Sequence, residues 1–340
     1  MRISIGCRRI GEGEPCFIIA EAGINHGGDL SKAKKLVESA AKCGADAIKF
    51  QTHLPEKEML SEVPTADYVG ESLFDLLKKV ELSREDHIKL MEYSSKKGIL
   101  FLSTPFSREA ADLLDSLDVA AFKTGSGELT NLPLLGHIAK KGKPMIVSTG
   151  MSNIQEIGDT IRFLRGMKAK FVLMHCTSTY PTKYEDVNLK FIEVLRKKFG
   201  IPVGLSDHSI GIFTALAGVA FGACIVEKHF TIDRNWPGPD QKASIEPDEL
   251  SELVAGIRAI EKALGSSKKV TKEELQIQKM ARESVVSLVD MPMGKLITPS
   301  MVWVKRPGTG IPARDLSKVV GKKAKVRIKA GTLIQWRDLE

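Results

Sequence analysis

The sequence predicts an α/β protein that consists of a (β/α)8 barrel followed by a small β-rich domain. The chain has 340 residues, a length that fits one barrel of about 250 residues with an appendage. Its first three-quarters alternate short apolar runs with amphipathic stretches, which is typical of parallel strands joined by crossover helices. After about residue 283 the pattern changes to short β-like runs with turn residues.

Eight apolar runs are the predicted barrel strands. Each is four to six residues long and almost continuously hydrophobic, as expected for a parallel strand that is covered on both faces. An open, doubly wound sheet is the alternative arrangement of the same elements. The runs occupy residues 16–20, 45–50, 100–103, 120–123, 144–148, 171–175, 202–206 and 224–229.

Helical patterns lie between the runs, and several of them stop at a glycine. A glycine directly after the last helical residue is a C-cap signal, because glycine readily adopts the left-handed conformation that ends a helix. Ser83 is in addition a candidate N-cap. The four clearest segments are 30–43 before Gly44, 84–97 before Gly98, 153–164 before Gly166, and 189–199 before Gly200.

Changes in composition predict the domain boundaries. The barrel domain covers residues 1–264, a small, polar and basic linker with a following helix covers 265–282, and a β-rich domain covers 283–340. Within the last domain, residues 293–297 resemble residues 330–334. A domain of fewer than about 60 residues has a marginal core on its own, so we expect it to pack on the barrel or on a partner chain.

Charge and cysteine content narrow the class of protein. The net charge of +8 favours anionic substrates. The sequence has no dense basic tract interleaved with aromatic residues, which is the pattern that would indicate nucleic acid binding. No stretch approaches the ~20 apolar residues that span a bilayer, and the N-terminus lacks the apolar region of a signal peptide. The five cysteines are scattered without a CxxC pair, which predicts reduced thiols and a cytoplasmic location.

Lys49 and Lys123 are the first candidates for a functional site. Each follows or interrupts an apolar run, where a charge is costly unless it is paired. Two ammonium groups that converge would bind a phosphate and a carboxylate; alternatively, each pairs with a structural carboxylate such as Glu21 or Asp46. Glu21 ends the first run and is a candidate general base or the partner of Lys49, and these two roles are compatible.

Two loops rich in glycine and hydroxyl groups follow the fourth and fifth runs, at residues 124–127 and 148–150. Their N–H and hydroxyl groups can surround phosphate oxygens at the start of the next helix. Ordinary βα turns are also rich in glycine and serine. The pattern therefore leaves a phosphate site and a plain turn as alternatives.

Two histidines suggest a metal site. His208 and His229 end the seventh and eighth runs, and neighbouring strands lie about 4.8 Å apart, so both imidazoles can reach one ion. Two nitrogen ligands with open positions suit Mn, Fe, Co or Zn. Hydrogen-bonded core histidines are the alternative. His175, which ends the sixth run, is either a further ligand or a hydrogen-bonding neighbour.

Nine short motifs follow one another along the barrel part of the chain, and a tenth lies in the C-terminal domain. They are IAEAGINH (19–26), KFQTH (49–53), STPFS (103–107), KTGSGE (123–128), STGM (148–151), HCTSTYP (175–181), GLSDHS (204–209), EKHF (227–230), GPD (238–240) and KRPGTG (305–310). This ordered set resembles the sialic acid (N-acetylneuraminate) synthase family, whose C-terminal part is an antifreeze-like (SAF) domain.

The resemblance implies that phosphoenolpyruvate condenses with N-acetylmannosamine or a relative to give a nine-carbon 2-keto-3-deoxy acid and phosphate. It also implies a divalent metal, for which we expect Mn²⁺, with Mg²⁺ or Co²⁺ as alternatives. In such enzymes an arginine comes from the other subunit, so a domain-swapped homodimer is implied. The implied residues are Glu21, Lys49 and Lys123 for catalysis; Lys49, Thr104, Lys123, Ser126 and Ser148 for phosphoenolpyruvate; Ser178, Tyr180, Asp240 and Arg306 for the sugar; and His208 and His229 for the metal.

The resemblance leaves the sugar open. Ser178 stands where some relatives have asparagine, and Arg282 where some have an aromatic residue. N-acetylmannosamine, its 6-phosphate and the diacetamido sugar that leads to legionaminic acid are the alternatives, whereas residues 207–209 and 238–240 look less like the pseudaminic branch. Two rival functions are an octulosonate-phosphate synthase, which the SAF-like tail disfavours, and a non-catalytic carbohydrate-binding barrel.

Overall fold

A computed structural model describes residues 2–64 and 71–340. The chain begins with an antiparallel hairpin, β1 (Arg2–Ile5) and β2 (Arg8–Gly11), for which the sequence analysis has no prediction. Ile3, Ile5 and Ile10 are buried and pack with the first residues of several later strands, including Phe17 and Ile225. The hairpin therefore closes the N-terminal end of the main sheet.

Eight parallel strands form the main sheet, and all eight predicted runs are among them. Their hydrogen-bonded order is β5-β4-β3-β10-β9-β8-β7-β6, and the two end strands lie side by side. The sheet is thus a nearly closed barrel, which confirms the predicted fold class. The strands are β3 (Phe17–Gly23), β4 (Ala47–Thr52), β5 (Leu100–Pro105), β6 (Phe122–Thr124), β7 (Met145–Ser148), β8 (Phe171–Cys176), β9 (Val203–Asp207) and β10 (Ile225–His229).

Helices separate the barrel strands along the chain and cover them with apolar faces. They are α1 (Leu30–Lys42), α2 (Pro55–Glu58), α3 (Leu73–Val80), α4 (Arg84–Lys97), α5 (Arg108–Ser116), α6 (Leu132–Ala139), α7 (Ile154–Gly166), α8 (Phe191–Phe199), α9 (Phe213–Ala220) and α10 (Pro247–Ala263).

Local signals explain most of the helix ends. Ser83 and Asp86 form a reciprocal cap at the start of α4, and Gly98 and Gly200 are left-handed C-caps, as predicted. The prediction for Gly166 is wrong. It is the last residue of α7, and Lys168, with φ of 56°, adopts the left-handed conformation instead.

Residues 265–340 form a second compact unit. Its elements are α11 (Lys272–Ala281), β11 (Ser284–Ser287), β12 (Val302–Lys305) and α12 (Leu316–Val319), around a separate apolar core. The two similar segments of this unit have the same local structure. Each has a glycine of positive φ, Gly294 or Gly331, and each is followed by a short 3-10 helix, at Pro299–Met301 or Trp336–Asp338.

The described residues also bear on two predictions from composition. None of the helices in residues 2–64 and 71–340 is long and apolar enough to cross a lipid bilayer. All five cysteines are free thiols, and three of them are buried.

Candidate active site

The C-terminal ends of the barrel strands surround a cavity of about 300 Å³, at the end of the barrel where (β/α)8 enzymes hold their active sites. Asp240 lies beside this cavity, 3.8 Å from Nδ1 of His229, whereas Arg306 belongs to the second unit. The other predicted site residues all line the cavity: Glu21, Lys49, Thr104, Lys123, Ser126, Ser148, Ser178, Tyr180, His208 and His229.

The two predicted lysines are buried and have different partners. Lys49, on β4, lies 2.7 Å from Oε2 of Glu21 and donates to Thr104 Oγ1 at 3.0 Å. Lys123, on β6, donates to Ser148 Oγ at 2.6 Å. Burial lowers the pKa of Lys123, whereas for Lys49 the nearby carboxylates outweigh burial and raise the pKa. An anionic ligand that enters the cavity therefore meets two ammonium groups with little water around them.

Glu227 is a site residue that the sequence analysis did not assign. Its carboxylate lies between the lysines, 3.8 Å from Lys49 Nζ and 3.6 Å from Lys123 Nζ, and Ser206 donates to it at 3.0 Å. Burial opposes ionisation of Glu227, but Lys123 and Lys49 outweigh burial and lower its pKa. The cavity thus holds two buried cations against two buried carboxylates.

A glycine allows two serines to converge at one side of the cavity. Ser126 Oγ accepts from the N–H of Gly150 at 3.1 Å. A Cβ atom on Gly150 would lie 2.2 Å from Ser178 Oγ and 2.6 Å from Ser126 Oγ, so no other residue type fits there without moving them. The loop sequence therefore places one hydroxyl predicted to bind phosphoenolpyruvate beside one predicted to bind the sugar.

The two predicted metal ligands lie next to each other, with their ring centroids 5.3 Å apart. Nδ1 of His208 lies 2.9 Å from the Thr177 carbonyl, to which it donates, so in the neutral ring the lone pair is on Nε2. Cys176 and this carbonyl outweigh burial and raise the pKa of His208. Burial and the adjacent His208 hold the pKa of His229 well below its ordinary value, so this ring is neutral, the form that binds metals. Tyr180 packs on His208 with ring centroids 4.2 Å apart.

These residues fit a metal with an incomplete protein ligand set. The buried Nδ1 of His229 has no hydrogen-bond partner, and a carbonyl fixes the tautomer of His208, as is usual for a metal ligand. Within residues 2–64 and 71–340, no group of three or more His, Cys, Asp or Glu side chains is arranged around one ion position. A metal held by the two imidazoles would therefore keep open positions for water or substrate oxygens.

Glu21 has the properties of a general base. Burial raises its pKa to about 7, although Lys49 opposes the shift. Its Oε1 accepts from Gln51 Nε2 at 3.1 Å, whereas Oε2 forms an ion pair with Lys49 but has no aligned hydrogen-bond donor. A carboxylate that titrates near neutral pH and has an oxygen available can accept a proton during a reaction.

Strand alternation could have identified the residues that the sequence analysis missed. Side chains two positions apart face the same side of a strand. Glu227 is therefore expected to face the cavity with His229, and Gln51 with Lys49. Both of these line the cavity. Of the two alternatives for His175, a metal ligand or a hydrogen-bonding neighbour, the structure supports the second. Its Nε2 lies 2.6 Å from the Val187 carbonyl, and it does not line the cavity.

Two family models match this chain: the NeuB family at residues 36–269 and the SAF domain at residues 282–340. The N,N'-diacetyllegionaminic acid synthase of Legionella pneumophila is 43% identical over 98% of both chains. The N-acetylneuraminate-9-phosphate synthase of Homo sapiens is 38% identical over 95% of this chain and 92% of its own. The crystal structure of N-acetylneuraminic acid synthetase from Leptospira borgpetersenii, in complex with citrate, has a TM-score of 0.74 and 38% identity, over 82% of this chain and 95% of that one.

Proposed function

Because this chain belongs to the NeuB family and ends in a SAF domain, we propose that it condenses phosphoenolpyruvate with an N-acetylated amino sugar of the mannosamine type. Its named relatives are sugar acid synthases, which confirms the resemblance found in the sequence. The buried set of two lysines and two carboxylates in one cavity supports the proposal most directly, because phosphoenolpyruvate is a small anion with two acidic groups.

The lysines and the neighbouring hydroxyl groups bind phosphoenolpyruvate in this proposal. Lys49 and Lys123 neutralise the phosphate and the carboxylate. Thr104 and Ser148 accept from the lysines and donate their hydroxyl hydrogens to the anion. Ser126 adds a further hydroxyl from the loop after β6. Charge-assisted hydrogen bonds of this kind are about twice as strong as neutral ones, so the cavity favours an anion over water.

The reaction forms one carbon–carbon bond, and at C2 water replaces phosphate, so that one carbon–oxygen bond forms and one breaks. The C2=C3 electron pair of phosphoenolpyruvate attacks the aldehyde carbon of the open-chain sugar, and the aldehyde oxygen takes up a proton. Water adds to the positive C2 and releases a proton, for which Glu21 is the acceptor. The tetrahedral intermediate then expels phosphate, which leaves the 2-keto-3-deoxy acid. Glu227 stabilises the positive charge at C2 from its position between Lys49 and Lys123.

His208 and His229 would hold a divalent metal, for which we propose Mn²⁺. When bound, the metal supplies a Lewis acid that polarises the sugar aldehyde. The protein's own part is to orient the ring of His208 through the Thr177 carbonyl and to keep the buried ring of His229 neutral. Tyr180 restricts the space around the two rings from one side.

The sugar is proposed to lie beside Tyr180, Ser178 and Asp240. Burial raises the pKa of Asp240, and its carboxyl oxygens can accept hydrogen bonds from sugar hydroxyls. The identity of 43% to a diacetyllegionaminic acid synthase exceeds the 38% to an N-acetylneuraminate-9-phosphate synthase. This difference favours the 2,4-diacetamido sugar over N-acetylmannosamine 6-phosphate as the second candidate acceptor, beside N-acetylmannosamine.

We further propose that the active unit is a domain-swapped homodimer in the cytoplasm. Arg306 is exposed in the second unit, and in this proposal it reaches the N-acyl group of a sugar held by the barrel of the other subunit. The free thiols of all five cysteines fit the reducing conditions of that compartment.

Phosphate release tests the proposal. The protein is incubated with phosphoenolpyruvate, Mn²⁺ and, one at a time, N-acetylmannosamine, its 6-phosphate, the 2,4-diacetamido analogue and arabinose 5-phosphate. We expect release with one N-acetylated sugar, none without sugar, and loss of release with EDTA that added Mn²⁺ restores. Release with arabinose 5-phosphate alone would indicate an octulosonate-phosphate synthase, and sugar binding without any release would indicate a non-catalytic barrel.

A further inference from the structure

A partly buried chain of hydrogen bonds leads from Glu21 to the short helix α2. Gln51 Nε2 donates to Glu21 Oε1 at 3.1 Å, and Oε1 of the same amide lies 2.9 Å from His53 Nε2. On the other side of the ring, His53 Nδ1 lies 2.9 Å from Glu58 Oε1. The side chains of His53 and Glu58 are only 7% and 3% exposed. The reaction proposed above uses neither of them.

The chemistry of each partner fixes the direction of these hydrogen bonds. The Glu21 carboxylate only accepts, so the NH2 group of Gln51 faces it and the amide oxygen faces His53. That oxygen also only accepts, so His53 Nε2 carries a hydrogen. A single proton between Nδ1 and Glu58 completes the chain. Whichever of these two groups holds that proton, Nε2–H points at Gln51.

Neighbouring groups hold the ring and the carboxylate in place. His53 stacks on Phe106, with ring centroids 4.3 Å apart and an interplanar angle of 11°. Glu58 Oε2 accepts from the N–H of Leu54 at 3.4 Å. Gly23 lies directly beside the amide, because a Cβ atom there would be in van der Waals contact with Gln51 Nε2 at 3.5 Å and Glu21 Oε1 at 3.4 Å.

We propose that His53 and Glu58 are positioning residues for Glu21. His53 and Glu58 hold Nε2–H towards the amide oxygen of Gln51. This keeps the NH2 group of Gln51 hydrogen-bonded to Glu21 and so fixes the orientation of the Glu21 carboxylate. If the ring presents an unprotonated Nε2, or is absent, the amide can turn over and bring its oxygen to Glu21, where two acceptors repel each other. The inference rests on the proposed function, since that function makes Glu21 the proton acceptor.

Three variants separate positioning from mere packing. His53→Phe keeps an aromatic ring on Phe106 but has no N–H group. Glu58→Leu removes the acceptor at Nδ1 while it keeps the volume. Glu58→Gln is the conservative variant, because its NH2 group can donate to Nδ1 and leave a neutral ring with Nε2–H. The control is Glu56→Leu, a change in the same short helix at a side chain that is 65% exposed.

Steady-state kinetics should divide these variants into two groups. We expect His53→Phe and Glu58→Leu to lower kcat about tenfold or more, because a misplaced catalytic group loses rate rather than affinity. The Kd for phosphoenolpyruvate, measured by calorimetry, should stay within about twofold of the wild type in all four proteins, as should kcat in Glu58→Gln and Glu56→Leu. Unchanged kcat in both His53→Phe and Glu58→Leu would overturn the proposal, even if their melting temperatures fall.

A spectroscopic measurement keeps the test independent of turnover. In protein with ¹⁵N-labelled histidine, the His53 resonances are assigned by their absence from His53→Phe. We expect Nε2 of His53 to be protonated in the wild type and in Glu58→Gln, and its protonated fraction to fall in Glu58→Leu. An unprotonated Nε2 in the wild type would contradict the inference directly. If the wild type releases no phosphate with any sugar, the proposed function fails, while this measurement still decides whether the hydrogen-bond chain exists as described.

Discussion

At the scale of single residues, the site depends on burial more than on unusual side chains. Glu21, Lys49 and Lys123 are ordinary ionisable residues that the strands bring into a small, closed space. The sequence could predict them because charge inside an apolar run is costly. Glu128 shows what it could not predict. Burial raises the pKa of Glu128 to about 7, but this residue lies in a loop after β6, where polar residues are common and no strand alternation indicates which way a side chain faces.

The pH dependence of turnover should follow Glu21. A proton acceptor must be ionised, and the pKa of Glu21 is about 7 instead of its usual value near 4.5. Activity is therefore present above pH 7 and falls about tenfold per pH unit below it. Glu21→Gln should lower kcat by about 100-fold or more and remove this acidic limb, while phosphoenolpyruvate still binds. A Glu21→Gln enzyme with near-normal turnover would exclude Glu21 as the base.

Gly150 provides a test of the contact between the two serines. Gly150→Ala places a Cβ atom against Ser178 Oγ and Ser126 Oγ, so at least one hydroxyl must leave its position. We expect kcat/KM to fall about tenfold, equivalent to about 1.4 kcal/mol of transition-state binding. Gly166→Ala is the matched control, because a Cβ atom at that helix end meets nothing within 4 Å. Equal kinetics for both variants would show that the serines do not need this close approach.

At the scale of elements, the continuously apolar runs were predictable and the alternating N-terminal hairpin was not. All eight barrel strands have a continuous hydrophobic signal because helices cover one face and the barrel interior the other. The hairpin β1–β2 has strands of only four residues, in which Ile3 and Ile5 alternate with exposed arginine and serine. That alternation is a valid strand signal. Over only four residues, however, it cannot be distinguished from an irregular polar chain terminus.

The turn between β3 and α1 should make the barrel sensitive to acid. His26 is fully buried, its Nδ1 accepts from the N–H of Gly28, and its Nε2 has no partner. Burial lowers the pKa of His26 to about 4, below the value near 6.5 of an unfolded chain. The unfolded state therefore binds the proton first as pH falls, and stability is lost between pH 6.5 and 4 by about 3 kcal/mol from this group.

His26→Asn should reduce that loss, because the amide oxygen of asparagine can still accept from Gly28 and does not titrate. The measurement is the free energy of unfolding in urea between pH 7.5 and 4.5, followed by circular dichroism. We expect the variant to be less stable than the wild type at pH 7.5, owing to the lost ring contact with Phe50, but to have a flatter pH dependence. Parallel curves for the wild type and His26→Asn would contradict the argument.

At the scale of the whole molecule, the chain divides at Leu264 and Gly265 into two units with separate cores. The smaller unit exposes several large apolar side chains, among them Trp303, Met293 and Leu288. The small size of this unit already predicted from the sequence that it needs a packing partner, whereas the identity of that partner rests on the proposed exchange between two subunits.

Mixing two inactive variants tests that exchange. Arg306→Ala has an intact barrel but lacks the arginine, and Glu21→Gln has the arginine but a defective barrel. If Arg306 acts on the barrel of the other subunit, half of the dimers after random exchange are mixed and each has one intact site, so about a quarter of the wild-type activity returns. The control mixture is Glu21→Gln with Lys123→Met, in which every barrel is defective and no activity should return. Recovery in the first mixture alone requires Arg306 to act between subunits, because an arginine that serves its own barrel leaves each site in the mixture with one defect. No recovery in either mixture, after exchange is verified by mass spectrometry, would place Arg306 with its own barrel, and an active Arg306→Ala variant before mixing would place it outside the site.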